Sequence, residues 1–204
     1  DSNVIRTHCQ NYYEHLNSLS LSKKEARRIG FPLSAKLIER ECIIAQGTLE
    51  GCTSAIENGI AFNIAGGTHH AFYDRGEAFC LLNDQAIAAN YLLDNNLAKR
   101  ILIVDLDVHQ GNGTAALFQT NSSVFTFSVH CKANYPFQKE LSDLDIPLED
   151  NTKDIAYLSI LEEALLNLLK NLQPDFVFYL SGVDVLNEDK LGRLSLTLEG
   201  AKKR

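Results

Sequence analysis

Ile101-Leu102-Ile103-Val104 runs directly into Asp105-Leu106-Asp107-Val108-His109. The first four residues read as a central strand of a parallel sheet, where both faces are buried and apolar residues follow one another without interruption. The next five alternate ionisable with apolar, and a period of two puts Asp105, Asp107 and His109 on one face of an extended segment. Three such groups pointing the same way repel or desolvate one another unless a cation lies among them. A metal between Asp107 and His109 removes that penalty, so a cation at the end of this buried strand is expected.

The flanking sequence supplies a matching sheet. Ser34 caps a long amphipathic helix that runs to about Asn58, where Gly59 stops it. Residues 60–64 read as a buried strand and residues 81–95 as a helix with Ala86, Ala89, Leu92 and Leu93 on its apolar face. A helix is predicted over 114–119, a strand over 124–127, an amphipathic helix over 154–172 ended by Pro174, and a strand over 176–180. Strand and helix alternate, so the predicted class is α/β, a three-layer α/β/α arrangement with a mostly parallel sheet. Right-handed crossovers put the strand C-termini on one edge, where such sheets bind ligands. With 204 residues, 45% of them hydrophobic, and no repeats or linkers, a single domain over 1–204 is expected. The basic cluster at Lys23-Lys24 and Arg27-Arg28 reads as a solvated helix face.

Composition narrows the partners. A net charge of −7 disfavours non-specific binding to nucleic acid or anionic membrane. No apolar run approaches the ~20 residues that span a bilayer. Cys9, Cys42, Cys52, Cys80 and Cys131 are odd in number and form no CxxC, which points to a reducing compartment, the cytoplasm. The chain opens Asp1-Ser2-Asn3, contains no Met and closes on Lys202-Lys203-Arg204, so a fragment lacking both ends is expected. Nothing in the sequence fixes an oligomeric state.

Four of the six histidines fall at or after the predicted strand ends, in Gly66-Gly67-Thr68-His69-His70, in 105–109 and in Ser128-Val129-His130; Asp184 follows the last strand in Ser181-Gly182-Val183-Asp184. Asp107 and His109 with Asp184 make one imidazole and two carboxylates, a set that leaves a position open for water or substrate and suits catalytic zinc. Ligands without thiolate also admit iron or manganese. His69 and His70 can serve as general base and acid, with Asp105 free to accept from one of them. His130 reads as a hydrogen-bonding residue beneath the site, and Cys80 and Cys131 as inert packing. A rival pattern, Gly111-Asn112-Gly113-Thr114-Ala115-Ala116, fits GxGxxA, but the acid a dinucleotide site needs after the next strand is missing, since 128–135 holds no carboxylate.

On these motifs the sequence closely resembles the histone deacetylase superfamily. The matching stretches are GGTHHAF at 66–72, AFCLLND at 78–84, DLDVHQGNGT at 105–114, SDLDIPL at 142–148 and SGVDVLNEDKLGRLSLT at 181–197, and HQGNGT, with Gln110 and Asn112, looks most like the class IV branch and its bacterial relatives. The resemblance implies an arginase/deacetylase fold, with zinc bound by Asp107, His109 and Asp184. It implies tandem catalytic histidines, His69 paired with Asp105 and His70 as the main proton-transfer group. Asn112 would orient the neighbouring histidine where many members carry Asp. Phe79 would line the tunnel for the acyl-lysine stem, beside Ala78 where the family usually has Gly. A monovalent cation, usually potassium, would be held by Asp105 and the backbone oxygens of Asp107, His109 and Val129, with Ser128 helping. The family's catalytic Tyr lies in a Gly-rich loop after the last zinc Asp, and no residue of this chain matches it. The expected activity is zinc-dependent removal of acetyl or longer acyl groups from lysine. The alternatives are an acetylpolyamine amidohydrolase on the same fold, a non-catalytic acyl-lysine or protein-binding module, and a nucleotide-binding domain.

Overall fold

The computed structural model describes residues 2–204. In chain order the elements are α1 (Ser2–Ile5), α2 (Gln10–Asn17), α3 (Lys23–Ile29), α4 (Ala35–Asn58), α5 (Asp84–Asp94), β1 (Ile101–Asp105), α6 (Asn112–Phe118), β2 (Val124–Cys131), β3 (Leu144–Leu148), α7 (Asp154–Leu172), β4 (Phe176–Leu180) and α8 (Leu198–Lys203). They group into two compact units, Asp1–Ala98 with Asn112–Leu117, and Lys99–Gly111 with Phe118–Arg204.

The second unit contains the sheet. Its order is β3-β2-β1-β4, and every pairing is parallel. All five residues of β1 are buried, as an uninterrupted apolar run requires of a central strand. On one face Leu102 and Val104 pack with Phe127, Val129 and Cys131 of β2 and with Tyr157, Leu161 and Leu168 of α7. The spacing of those three α7 residues keeps them on one side of the helix. Because the strands run parallel, the segments after β1 and β4, which carry the expected ligands, leave the same edge of the sheet. β3 and β4 are the edges. β3 carries Asp145 and Pro147, and Pro is confined to such positions because it cannot donate to a ladder. β4 reads Phe-Val-Phe-Tyr-Leu.

The first unit is helical. α4 has the predicted bounds: the Ser34 hydroxyl accepts from Leu37 N at 3.2 Å, and Gly59 closes the helix with φ 87°. Ile38, Ile44, Ala45, Leu49 and Cys52 are its buried apolar positions, and the helix packs on α5 and α2. In α5 the small side chains Ala86, Ala88 and Ala89 are buried, as are Ile87 and Leu92.

The strand expected over 60–64 does not form. Ile60, Phe62 and Ile64 are 65%, 83% and 102% exposed, and among the described residues no strand pairs with this segment. The alternation is that of a strand, but without a ladder partner the backbone groups gain nothing from an extended run. Asn63 ties the segment to α4 instead, donating to Ile44 O at 3.0 Å and to the Thr48 hydroxyl at 2.7 Å. β3 was not expected, because Asp143, Asp145 and Pro147 hide it in the sequence.

His8 is a structural histidine. It is fully buried, with Nδ1 2.8 Å from Phe72 O and Nε2 accepting from Asn83 N at 2.9 Å. Burial lowers its pKa to about 4, against the weaker raising effect of its backbone partners, and burial likewise lowers that of His130 to about 4. The unfolded chain takes up these protons near pH 6.5 and the folded chain does not, so stability is lost as pH falls from about 6.5 towards 4. At pH 5 the His8 share is about 2 kcal/mol. Urea unfolding at pH 7 and pH 5 should show the loss, and the His8→Gln variant should show a flatter pH dependence than the parent protein. An unchanged slope in that variant would remove His8 from the account.

Candidate metal centre and paired histidines

In the sheet unit, Asp107 and His109, just beyond the end of β1, converge with Asp184. Each offers a ligand atom, and these atoms lie within 4.8 Å of one another. His109 Nδ1 is 2.9 Å from Asp107 Oδ1 and 3.1 Å from Asp184 Oδ2. Backbone donors hold the carboxylates in place: His109 N donates to Asp107 Oδ1 at 2.8 Å, and Val108 N to Asp184 Oδ1 at 3.0 Å. Gly182 is required here, because a Cβ would overlap Asp107 Oδ2.

The set fits a divalent cation. Burial draws the pKa of His109 down, but its hydrogen bonds to Asp107 and Asp184, with their charges, outweigh this and push it up to about 9. Two carboxylates beside the imidazole thus favour a positive charge between them. An N/O ligand set of this kind admits zinc with an open position, and also iron or manganese. In the same unit Asp105 is buried and is the register neighbour of Ser128 on β2. Asp105 Oδ1 accepts from Asp107 N at 3.1 Å. His130 is buried, with Nδ1 3.0 Å from the Ser128 hydroxyl, a hydrogen-bonding position as expected. Cys131 is fully buried, and its thiol donates to Asp150 Oδ1 at 3.3 Å. Gln110 pins the segment after β2, donating to Glu140 O and to Asp145 Oδ1, both at 2.8 Å.

The helical unit holds His69 and His70. They do not follow a strand; other groups fix their loop. The buried carboxylate of Asp84 accepts from Thr68 N at 2.8 Å, Gly67 N at 3.0 Å and the Thr48 hydroxyl at 2.6 Å. Thr114 N, in the first turn of α6, donates to His69 O at 3.1 Å. At Gly113 a Cβ would overlap Ala71 O, so this glycine serves the approach of the histidine loop, not that of a phosphate. The two imidazoles lie with centroids 4.1 Å apart and their planes tilted by 49°, both residues buried. His70 Nδ1 is 2.6 Å from Asn112 Oδ1, so the structure brings His70 and Asn112 together.

Ala78 and Phe79 have φ of 45° and 67°, a left-handed pair that non-glycine residues rarely adopt and that costs on the order of 1–3 kcal/mol each. Hydrogen bonds hold them there: Ala78 N donates to Arg28 O at 3.0 Å and Phe79 N to Ile29 O at 2.6 Å. The Phe79 ring is 55% exposed and packs 5.0 Å from Phe31. His8, Asn83, Asp84 and Thr114 were missed as supports of this region. Asn83, Asp84 and Thr114 stand in the matching stretches, but the groups they bind lie outside those stretches' local pattern, so their supporting roles could not be read there.

The His109 proton and a metal ion compete for one place. Metal affinity should therefore rise about tenfold per pH unit between pH 6 and about 9, then level off. Competition with a chromophoric chelator at a series of pH values measures this. Affinity independent of pH would mean that His109 is not a ligand.

A profile of the histone deacetylase domain matches residues 1–204. An uncharacterized protein of Picosynechococcus sp. is 50% identical over 185 residues, covering 91% of this chain and 62% of that protein. Histone deacetylase 2 of Arabidopsis thaliana is 30% identical, over 98% of this chain and 54% of its own length. Among solved structures, an HDAC homolog complexed with SAHA matches with a TM-score of 0.88 and 26% identity, covering all of this chain and 60% of that one. The chain thus spans 54% to 62% of the length of these proteins.

Proposed function

Because this chain belongs to the histone deacetylase family, we propose that the protein containing it is a metal-dependent hydrolase that removes acetyl or longer acyl groups from lysine side chains. The observation that supports this most directly is the Asp107, His109 and Asp184 set, whose ligand atoms lie within 4.8 Å of one another in a chain of that family.

On this reading Asp107, His109 and Asp184 hold zinc, with iron as the alternative. A bound zinc ion would supply Lewis acidity, polarising the acyl carbonyl and making a water molecule easier to deprotonate. His70 takes the proton of the attacking water, and its Nδ1 contact with Asn112 at 2.6 Å keeps its ring in one orientation. His69, paired with Asp105, assists in returning a proton to the departing amine. Asp105 and Ser128, together with the backbone oxygens of Asp107, His109 and Val129, hold a potassium ion as a structural cation. Phe79 and Ala78 line the passage for the aliphatic stem of the substrate.

The second reading, a small acylated amine such as an acetylated polyamine, is supported by the same residues, and the net charge of −7 suits a cationic substrate of either kind. We also assign the protein to a reducing compartment, the cytoplasm, since its five cysteines are odd in number and form no CxxC. Among the described residues no helix is long and apolar enough to cross a membrane.

Hydrolysis of a panel of acyl-lysine peptides and acetylated polyamines by the full-length zinc-loaded protein tests the assignment. His70→Ala should keep its metal and lose about 10²–10⁴ in kcat, whereas Asp184→Asn should lose metal, as read by elemental analysis. Wild-type turnover by the His70→Ala protein would overturn the assignment of the base.

A further inference from the structure

His70 faces a carboxamide, and a carboxamide has two ends of nearly the same shape and opposite hydrogen-bonding character. With Asn112 Oδ1 towards His70, 2.6 Å away, imidazole Nδ1 must donate and the lone pair of the neutral ring lies on Nε2. Turned over, Asn112 would present its NH2 group, Nδ1 would have to accept, and Nε2 would carry the proton and could not act as a base. An aspartate at position 112 would accept in either orientation, but an asparagine needs a further group to choose its orientation. In the same unit Asn112 Nδ2 donates to Glu77 Oε1 at 3.3 Å. An ionised carboxylate has acceptors only, so it can bind only the NH2 end of the amide.

We infer that Glu77 is a positioning residue: it selects the orientation of the Asn112 amide and, through it, the tautomer of His70. The role of His70 as base rests on the functional reading above; the chain from Glu77 through Asn112 to the His70 ring does not. Glu77 is built into a rigid place. Its backbone N donates to Cys80 O and Cys80 N donates to Glu77 O, both at 2.9 Å. The facing cation is Arg75, whose Nε is 3.5 Å from Glu77 Oε2 and whose guanidinium lies 3.6 Å from the centre of the Phe72 ring. Glu77 lies between the matching stretches 66–72 and 78–84, so no motif drew attention to it.

The test is a mutational cycle in the full-length protein with two readouts. With 15N-labelled histidine, two-bond proton–nitrogen spectra report which nitrogen of His70 is protonated. The wild type should show the Nδ1–H form. Glu77→Leu should mix in or reverse to the Nε2–H form, and Glu77→Gln, which keeps the shape of the side chain, should fall between. In Asn112→Asp the Nδ1–H form should persist whatever occupies position 77. For hydrolysis of an acetyl-lysine peptide, Glu77→Leu should lower kcat by roughly 10²-fold with little change in KM. In the Asn112→Asp background the same change should cost nothing or help, because it removes one of two carboxylates that would otherwise stand side by side. Equal losses in both backgrounds, or an unchanged His70 tautomer in both Glu77 variants, would overturn the inference. Should the protein hydrolyse no acylated amine, the functional reading fails while the tautomer measurement still decides this one.

Discussion

Two carboxylates and an imidazole share a space in which the like charges of the carboxylates repel, and a positive charge among them relieves that repulsion. Much of the sheet unit is arranged around that fact. β4 lies beside β1 in parallel register, so that Asp184 and Asp107 leave adjacent strands at the same edge. Amide donors from Val108 and His109 hold the carboxylates from behind. A side chain is absent at Gly182, where Asp107 needs the room. The charge of the site is set by its anions, while backbone amides fix where those anions stand.

The helical unit solves a different problem with similar means. Its histidines have no strand to aim them, so the buried carboxylate of Asp84 gathers the amides of the preceding glycine-rich turn, and the first turn of α6 closes on the loop from the other side. The left-handed backbone at Ala78 and Phe79 is held by two hydrogen bonds to the end of α3. Here rigidity comes from polar groups bonded to backbone, with little contribution from regular secondary structure.

Much of this was legible in the sequence where the signal was local. The Ser34 and Gly59 caps bound α4, and Ile101 to Val104 marked a buried strand with Asp107 and His109 just beyond its end. The segment 60–64 misled, because alternation reports which way side chains point and says nothing about whether a partner strand exists to satisfy the backbone. β3 was hidden for the converse reason: its acids and its proline are tolerable only at an edge, and edge status is a property of the whole sheet. Glu77 and His8 left no trace, and Asp84 stood in a matching stretch without its role being readable, because what they bind is fixed only when distant segments come together.

The two borders of the sheet are unlike. β3 carries Asp145 and Pro147, and a proline together with a charge blunts an exposed ladder against further pairing. β4 has neither, and Val177 and Tyr179 are 43% and 44% exposed. Growth of the sheet is therefore directional: it is discouraged beyond β3 and open beyond β4. Any additional strand would be recruited on the β4 side, and a polypeptide limited to these residues would show its tendency to self-associate there.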